Sequence, residues 1–357
     1  MNVGILRMKI TFSISFLFCF FVVGAQEPMH VFYNADSTLT GYRERDVTVL
    51  FKPRFTGTLH PAKKVDHVAA VMEATPDGWR GFHINRKGKR FGTDSIYMLE
   101  AMLDCKSEGH IRFRNPKTQL MGVFNRHGKV AIPARFNYIG PLTNGHAFAL
   151  LGAKKDTTDI EHPSYIGGHH VLVDTLGNIV LDDYKTGDHN LLSLQKSANR
   201  NDDPDRDWFA TSDGSFISMT DYRKEFKNWL TSVLLPGLTR QKLVRHSLSQ
   251  LATWNGEWAH VPAREWLRGN FKRVRQALSA VGKQSECNIS NTGLNYFIHD
   301  LAEFDAYLDN CGNARDDVYP VFSVSVPRQG NLSGHEDQFE FLRTKQGYRL
   351  ISATLAQ

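Results

Sequence analysis

The stretch from residue 121 to residue 136 most constrains what this chain can fold into. It reads Met-Gly-Val-Phe, then Asn-Arg-His-Gly-Lys, then Val-Ala-Ile-Pro-Ala-Arg-Phe, so two apolar segments flank a polar turn. Gly128 stands where a tight hairpin turn needs a positive φ, which glycine adopts without steric cost. The pattern predicts a β-hairpin. Because a lone hairpin cannot bury one of its faces, this one needs neighbours.

Similar segments before and after this hairpin predict a repeated unit. Residues 81–89 and 122–129 share a glycine, an apolar segment and an Asn-Arg-basic-Gly-Lys turn, and residues 170–181 are a weaker copy. A degenerate first copy begins at Gly41. Stacked units of this kind share a core. The predicted core residues are Tyr42, Trp79, Phe82, Phe124, Val130, Ile132, Phe136 and Ile139.

The turn residues Arg126, His127 and Lys129 are predicted to lie in water, and they are candidate binding residues. Around them the motif Gly-x-x-Asn-x-x-Gly-Lys-x-x-Ile-Pro-x-x-Phe-x-x-Ile, followed by Leu-Thr-Asn-Gly-His-Ala, resembles the WG repeat family. The resemblance covers residues 41–185, is clearest in residues 122–150, and retains the family's Trp-Gly only as Trp-Arg-Gly at residues 79–81. It implies a β-rich repeat module found in many bacterial proteins, usually without known chemistry.

The N-terminus predicts a secretory signal peptide over residues 1–25. Arg7 and Lys9 precede the apolar run 10–23, which ends in Val-Gly-Ala. A membrane anchor is the alternative, but the run is short for a span and no cationic cluster follows it. We therefore expect an exported protein, periplasmic or extracellular, with no transmembrane segment after cleavage. The net charge of +6 is mild, which makes a nucleic-acid partner unlikely.

Export implies an oxidising compartment, in which cysteines can pair. Outside the predicted signal peptide the chain has Cys105, Cys287 and Cys311. The sequence predicts a local disulfide between Cys287 and Cys311, with buried thiols as the alternative. Cys105 would then stay unpaired.

The predicted fold class is α+β and multidomain: an all-β array of hairpin units over residues 26–190, a linker or surface loop over 191–217, and an α+β domain over 218–357. Apolar residues at helical spacing predict helices over 218–236, 239–251 and 262–282. Strand patterns predict residues 321–326 and a hairpin at 339–351, hence helices against an antiparallel sheet. By analogy alone, this order is similar to that of cone-shaped NTF2-like domains.

No catalytic motif stands out, and we predict no catalytic residue, cofactor or metal site. Trp254 and Trp258 crowd around Glu257 and His260, and these four residues are candidate binding residues. The tryptophans either line a hydrophobic or sugar-stacking pocket or serve as core anchors. Three weaker candidates are a histidine-rich run at 162–189, a calcium-like acidic loop at 203–207, and a basic stripe on the third helix.

These observations favour an exported, non-enzymatic interaction protein that uses the WG-like β-repeat surface. Its partner would be a protein or a cell-envelope glycan. The alternative is a periplasmic or secreted hydrolase or small-ligand-binding protein with its site in a C-terminal pocket, where Glu257, His260 or Asp300 would act as acid or base. A third possibility is a protein held at a membrane by the basic stripe.

Overall fold

The structure is a computed structural model that describes residues 27–56, 62–99, 102–158, 164–185, 187–281, 287–327 and 336–356. The predicted signal peptide and His162 lie outside these residues. The protein is mostly β, with several small antiparallel sheets.

The first sheet has seven strands: β1 (Met29–Tyr33), β2 (Leu39–Arg43), β3 (Val49–Thr56), β4 (Lys64–Val65), β5 (Val68–Thr75), β6 (Gly78–Asn85) and β7 (Arg90–Phe91). Their order in the sheet is β4-β1-β2-β3-β5-β6-β7. A short ribbon follows, made of β8 (Met98–Leu99) and β9 (Met102–Leu103). Three strands then form the next sheet in chain order: β10 (His110–Arg114), β11 (Met121–Asn125) and β12 (Val130–Phe136).

The next segment contains β13 (Tyr138–Ile139), β14 (His146–Leu151), β15 (Lys154–Asp156), β16 (Ser164–Ile166), β17 (His169–Asp174) and β18 (Ile179–Leu181). Strands β15 and β16 pair with each other, and the other four form a sheet in the order β13-β14-β17-β18. Each of these sheets has too few strands to enclose a core alone, so its buried face must pack on a neighbour.

Four five-residue turns in this half have the same geometry, and we call them the turn ladder: residues 44–48, 85–89, 125–129 and 174–178. In each, the first residue's N–H donates to the fifth carbonyl, and the fourth residue's N–H donates to the first carbonyl. The fourth residue has φ of 69° at Val47, 78° at Gly88, 72° at Gly128 and 84° at Gly177. The sequence prediction that these three glycines occupy like turns is confirmed.

Successive turns of the ladder touch. A Cβ placed on Gly128 would lie 2.7 Å from the ring of Phe91, which follows the preceding turn, and one on Gly177 would lie 2.9 Å from Ile132. Strand β11 contributes to two buried clusters. Phe124 packs in a cluster with Val68 of the preceding sheet, and Val123 packs in another with Val173 of the following sheet. Each hairpin therefore buries its face mainly against its immediate neighbours.

The predicted core residues Phe124, Ile132, Phe136 and Ile139 are buried. Val130 is exposed, contrary to the prediction, because it is the first residue of β12 and lies next to the solvent-exposed turn. Tyr42 and Phe82 are also buried. Trp79 is 63% exposed, near the outer end of the β5–β6 hairpin, so its assignment to the core is wrong.

The predicted linker or surface loop at 191–217 lies largely within a three-stranded sheet of β19 (His189–Ser197), β20 (Arg206–Ala210) and β21 (Phe216–Asp221), in the order β19-β21-β20. Leu191 and Ile217 pack with Leu172 and Leu181 of the preceding sheet. Only a few apolar residues anchor this sheet, and the polar residues around them hid it in the sequence.

The remainder begins with α1 (Tyr222–Trp229), which continues as a π-helical turn at Leu230–Leu234, and α2 (Arg240–Arg245). Next come β22 (Ser247–Trp254), β23 (Trp258–Pro262), α3 (Ala263–Leu278), β24 (Asn288–Asn291) and a 3₁₀ helix at Ala302–Tyr307. The last strands are β25 (Val321–Pro327), β26 (Glu336–Thr344) and β27 (Gly347–Thr354). Helix α2 stops at Arg245, short of the predicted end, because β22 begins at Ser247.

Six of these strands form one sheet, the C-terminal sheet, in the order β23-β22-β27-β26-β25-β24. Strands β22 and β27 are parallel, so the prediction of a purely antiparallel sheet is wrong in this pair. The three helices cover one face, where the rings of Phe226 and Phe322 stack 4.9 Å apart. The segment 294–319 covers part of the other face.

One disulfide joins the two halves of the chain. It links Cys105 to Cys311, with Cα atoms 5.9 Å apart, and therefore corrects the predicted Cys287–Cys311 pair. Cys287 instead lies half-buried against the core under the helices. Sequence proximity favoured the local pair, whereas the fold brings residue 105 onto the turn that carries Cys311. Thr143 Oγ1 also donates to Asp317 Oδ2 across this junction, over 3.0 Å.

Candidate functional site

Cations cluster on the second and third turns of the ladder. We call Lys87, Lys89, Arg126, His127 and Lys129 the basic turn surface; all five are exposed. In the parts of the chain that the structure describes, none of the five makes an ion pair with a carboxylate. The packing of Gly128 on Phe91, two residues after Lys89, makes the two turns neighbours.

Side-chain caps hold the backbone of the basic turn surface. Asn85 Oδ1 accepts hydrogen bonds from the N–H groups of Lys87 and Lys89, both over 3.0 Å. Asn125 Oδ1 does the same for His127 and Lys129, over 2.9 and 3.1 Å. Such side-chain caps fix a turn that the backbone alone would leave more mobile. The cations are therefore carried on a rigid frame while their side chains remain in solvent.

The positive field around these turns extends to a neighbouring histidine. Burial lowers the pKa of His67, and the positive charges of Lys106, Arg126 and His127 lower it further, although Asp66 opposes them. Lys106 is neutralised by Asp66, with Nζ and Oδ2 2.6 Å apart. Arg126 and the histidine beside it have no such carboxylate partner among the described residues, so they remain available to an incoming anion.

The other predicted binding residues lie at the far end of the C-terminal sheet. Trp254 and Trp258 face each other across the β22–β23 hairpin with ring centroids 5.4 Å apart. They are 46% and 42% exposed, so they do not anchor the core. Glu257 is exposed in the turn between them. His260 follows on the same face of the hairpin, and its Nδ1 lies 3.8 Å from Asp300 Oδ1.

A line of mainly polar side chains crosses this face of the sheet. On successive strands the register pairs these residues in turn: His260, Ala252, Ser352, Glu340, Ser323 and Ser290. We call the five polar residues of this line the polar row. His299, from the covering segment, lies above the row with its Nε2 3.6 Å from Glu340 Oε2. Sequence reasoning missed the row, because its members come from five strands widely separated along the chain.

A cleft of about 640 Å³ lies at the junction of the two halves, beside the disulfide. Asp104 and Arg112 form an ion pair in its wall, with Asp104 Oδ1 2.9 Å from Arg112 Nε. Burial raises the pKa of Asp104, and Arg112 opposes that rise. Burial also raises the pKa of Asp316, with a further contribution from the neighbouring Asp317. No sequence signal pointed to this cleft, since its walls come from both halves.

The histidine-rich run contributes His189 to a group with Asp207 and Asp221 whose ligand atoms lie within 4.8 Å of one another. These atoms already have partners. His189 Nε2 lies 2.9 Å from Asp207 Oδ2, and Lys224 pairs with the other oxygen of that carboxylate. Asp221 accepts hydrogen bonds from the N–H groups of Arg223 and Lys224 as the cap of α1. The network therefore ties β19 to β20 and α1.

The acidic loop and the basic stripe have similar structural roles. Asp203 Oδ1 accepts the N–H of Asp205, and Asp205 in turn binds Asn228. On α3, Arg273 pairs with Asp337, with Nη2 and Oδ1 2.6 Å apart. The other stripe residues are exposed: Arg264, Arg268, Lys272 and Arg275. Among the described residues, no helix has the length and apolarity that crossing a bilayer requires.

Comparison with known proteins gives one family. No curated protein and no solved structure matches the chain. Residues 121–154 match the family model described as WG containing repeat. The match spans β11 to β14 and begins one residue before the segment in which the sequence resemblance is clearest. It confirms a WG repeat in this one short region of the chain.

Proposed function

We propose that this chain is an exported, non-enzymatic binding protein that holds an acidic partner on the basic turn surface. In this proposal residues 26–190 are an array of WG-like hairpin units, and an α+β domain follows them. The observation that carries it is the stacking of like turns, which places cations without carboxylate partners side by side. Fixed charges on rigid turns lose little freedom on binding, which favours recognition.

Export is supported by two independent features. Residues 1–25 have the pattern of a secretory signal. The Cys105–Cys311 disulfide is typical of proteins that fold in an oxidising compartment. We therefore propose a periplasmic or extracellular location, where acidic proteins and anionic cell-envelope glycans are both available as partners.

Two four-residue variants with the same change in net charge test the site. In the first, Lys87, Lys89, Arg126 and Lys129 become serine; in the second, Arg264, Arg268, Lys272 and Arg275 of α3 become serine. Binding to polyglutamate and to polygalacturonate is measured by titration at low and high salt. We expect the first variant to bind at least one probe about tenfold more weakly than the parent, and the second to stay within about twofold.

Equal losses in both variants would mean that net charge, and not this surface, attracts the polymer. No binding of either probe by the parent protein would contradict the proposed function. The two probes also distinguish an acidic polypeptide from an acidic glycan as the partner class.

The alternative function, a hydrolase or small-ligand-binding protein with a C-terminal pocket, has one observation in its favour. His260 and Asp300 approach each other, as that alternative requires. Against it, aromatic rings fill the space between the helices and the sheet, with Phe226 4.9 Å from Tyr348 as well as from Phe322. His260 and Asp300 lie on the opposite face, at the β22–β23 hairpin. Glu257 is exposed in its turn. The binding protein is therefore the better-supported proposal.

A further inference from the structure

We propose that the face of the C-terminal sheet around Trp254, Trp258 and His260 binds an uncharged glycan. This second site is separate from the basic turn surface and does not depend on it. It lies at the opposite edge of the sheet from β24, where, among the strands that the structure describes, β23 pairs only with β22. Three kinds of observation lead to it: exposed indoles, buried polar atoms without partners, and the sign of the local charge.

The first observation is the tryptophan pair. Two large aromatic side chains stand nearly half exposed, side by side, at the end of a well-formed hairpin. Their planes meet at 62°, so together they form a corner with accessible ring faces. Indoles are the side chains most often found where an apolar surface must also accept hydrogen-bonding partners. The C–H faces of a pyranose ring offer that combination of apolar surface and hydroxyl groups.

The second observation is the polarity of the face beyond the indoles. Within the described chain, His260 Nε2, His299 Nδ1 and Ser323 Oγ are buried and have no hydrogen-bond partner. All three belong to the polar row or lie directly on it. Buried polar atoms are almost always satisfied, by protein or by a bound hydrogen-bonding molecule. These atoms are therefore places where waters or hydroxyl groups would be held, while apolar residues of the segment 294–319 cover another part of the same face.

The third observation selects the kind of glycan. Two exposed carboxylates lie near the indoles: Glu257 in the turn between them and Asp300 beside His260. Carboxylates accept hydrogen bonds from sugar hydroxyls and repel anionic polymers. An uncharged glycan fits this surface, while an acidic partner fits the turn ladder. A protein strand added to the edge of β23 is the competing occupant, and it would leave glycan binding undetected.

Sedimentation with insoluble cellulose, chitin and starch tests the proposal on the full exported chain. We expect at least one of these neutral glycans to retain the parent protein. We expect the double variant Trp254→Ala/Trp258→Ala to be retained about tenfold less. The control is Trp79→Ala, which removes a still more exposed indole from the first sheet and should leave retention unchanged.

Asp300→Asn supplies a second test that spares the hairpin, since this side chain is 70% exposed. We expect it to weaken retention about threefold, with an unchanged melting temperature. Retention by none of the three glycans would overturn the proposal, as would equal retention of the parent and the double variant. The serine variant of the basic turn surface should be retained like the parent, which separates this site from the proposed function.

Discussion

In residues 27–185 each hairpin packs mainly on the hairpins next to it, whereas in residues 222–356 one pair of strands from distant parts of the chain, β22 and β27, joins the local hairpins into a single sheet. Gly128 rests on Phe91, and Gly177 rests on Ile132. In the C-terminal sheet, by contrast, Ser247 pairs with Leu350, and rings from α1 and three strands meet in one core. When each hairpin packs on its neighbours in the same way, the same residues recur and form a motif that is visible in the sequence. A core shared by many elements leaves only the apolar periodicity of each helix and strand.

Removing the disulfide should have the largest effect on stability and should let the two halves unfold separately. The bond closes a loop of 206 residues. In the chain-entropy model such a bond stabilises the folded state by about 5 kcal/mol. We expect Cys105→Ser/Cys311→Ser to lose about this much and to unfold in two transitions, one for each half, in a denaturant titration followed by circular dichroism. Cys287→Ser, outside the bond, is the control and should keep a single transition. An unchanged titration of the double variant would show that the halves do not depend on the bond.

Acid should weaken the first half more than the second, because of His83. This side chain is fully buried, and burial lowers its pKa from 6.5 to about 4. The unfolded state therefore binds more protons between these values, so stability is complete above pH 6.5 and falls as the pH drops towards 4. The expected loss is about 3 kcal/mol. As the pH falls across this range, the unfolding free energy of the parent should drop by about 3 kcal/mol more than that of His83→Leu. Parallel curves would contradict the assignment to this residue.

Two glycine substitutions test how much the contact between successive turns contributes to stability, and they have the smallest expected effect. Gly128 and Gly214 have φ of 72° and 81°, but only Gly128 has another hairpin against it. We expect Gly214→Ala to cost about 1 kcal/mol, from backbone strain alone. Gly128→Ala should cost about 2–3 kcal/mol, because the added methyl also collides with Phe91. Thermal and denaturant unfolding measure both values. Equal costs would mean that the contact between successive turns contributes little.

The sequence predicted the features that depend on residues close together in the chain. Asn125 and Gly128 lie three residues apart and form their turn unaided, so the turn was predictable. Helix α3 and the last hairpin were predictable for the same reason, since periodicity and turn residues are local signals. The exposure of Arg126, His127 and Lys129 followed from their place in a tight turn, and the structure has all three exposed.

Features that depend on what comes to lie nearby in space were not predictable. The partner of Cys311 is far away in sequence, so the nearer Cys287 was the natural expectation. Periodicity could not show whether Trp254 and Trp258 lie under a covering segment, and the structure leaves them exposed. The junction cleft and the polar row are assembled from several elements, and no single stretch of residues carries their signal.

The stepwise contact of the turn ladder also bears on how such a chain can change over generations. Gly88, Gly128 and Gly177 each lie against a side chain that follows the preceding turn, namely Phe51, Phe91 and Ile132. An in-frame gene duplication of one hairpin would therefore supply both the turn glycine and the side chain that a turn glycine contacts. By this route the array could gain or lose whole hairpin units while the edge formed by the turns keeps its form.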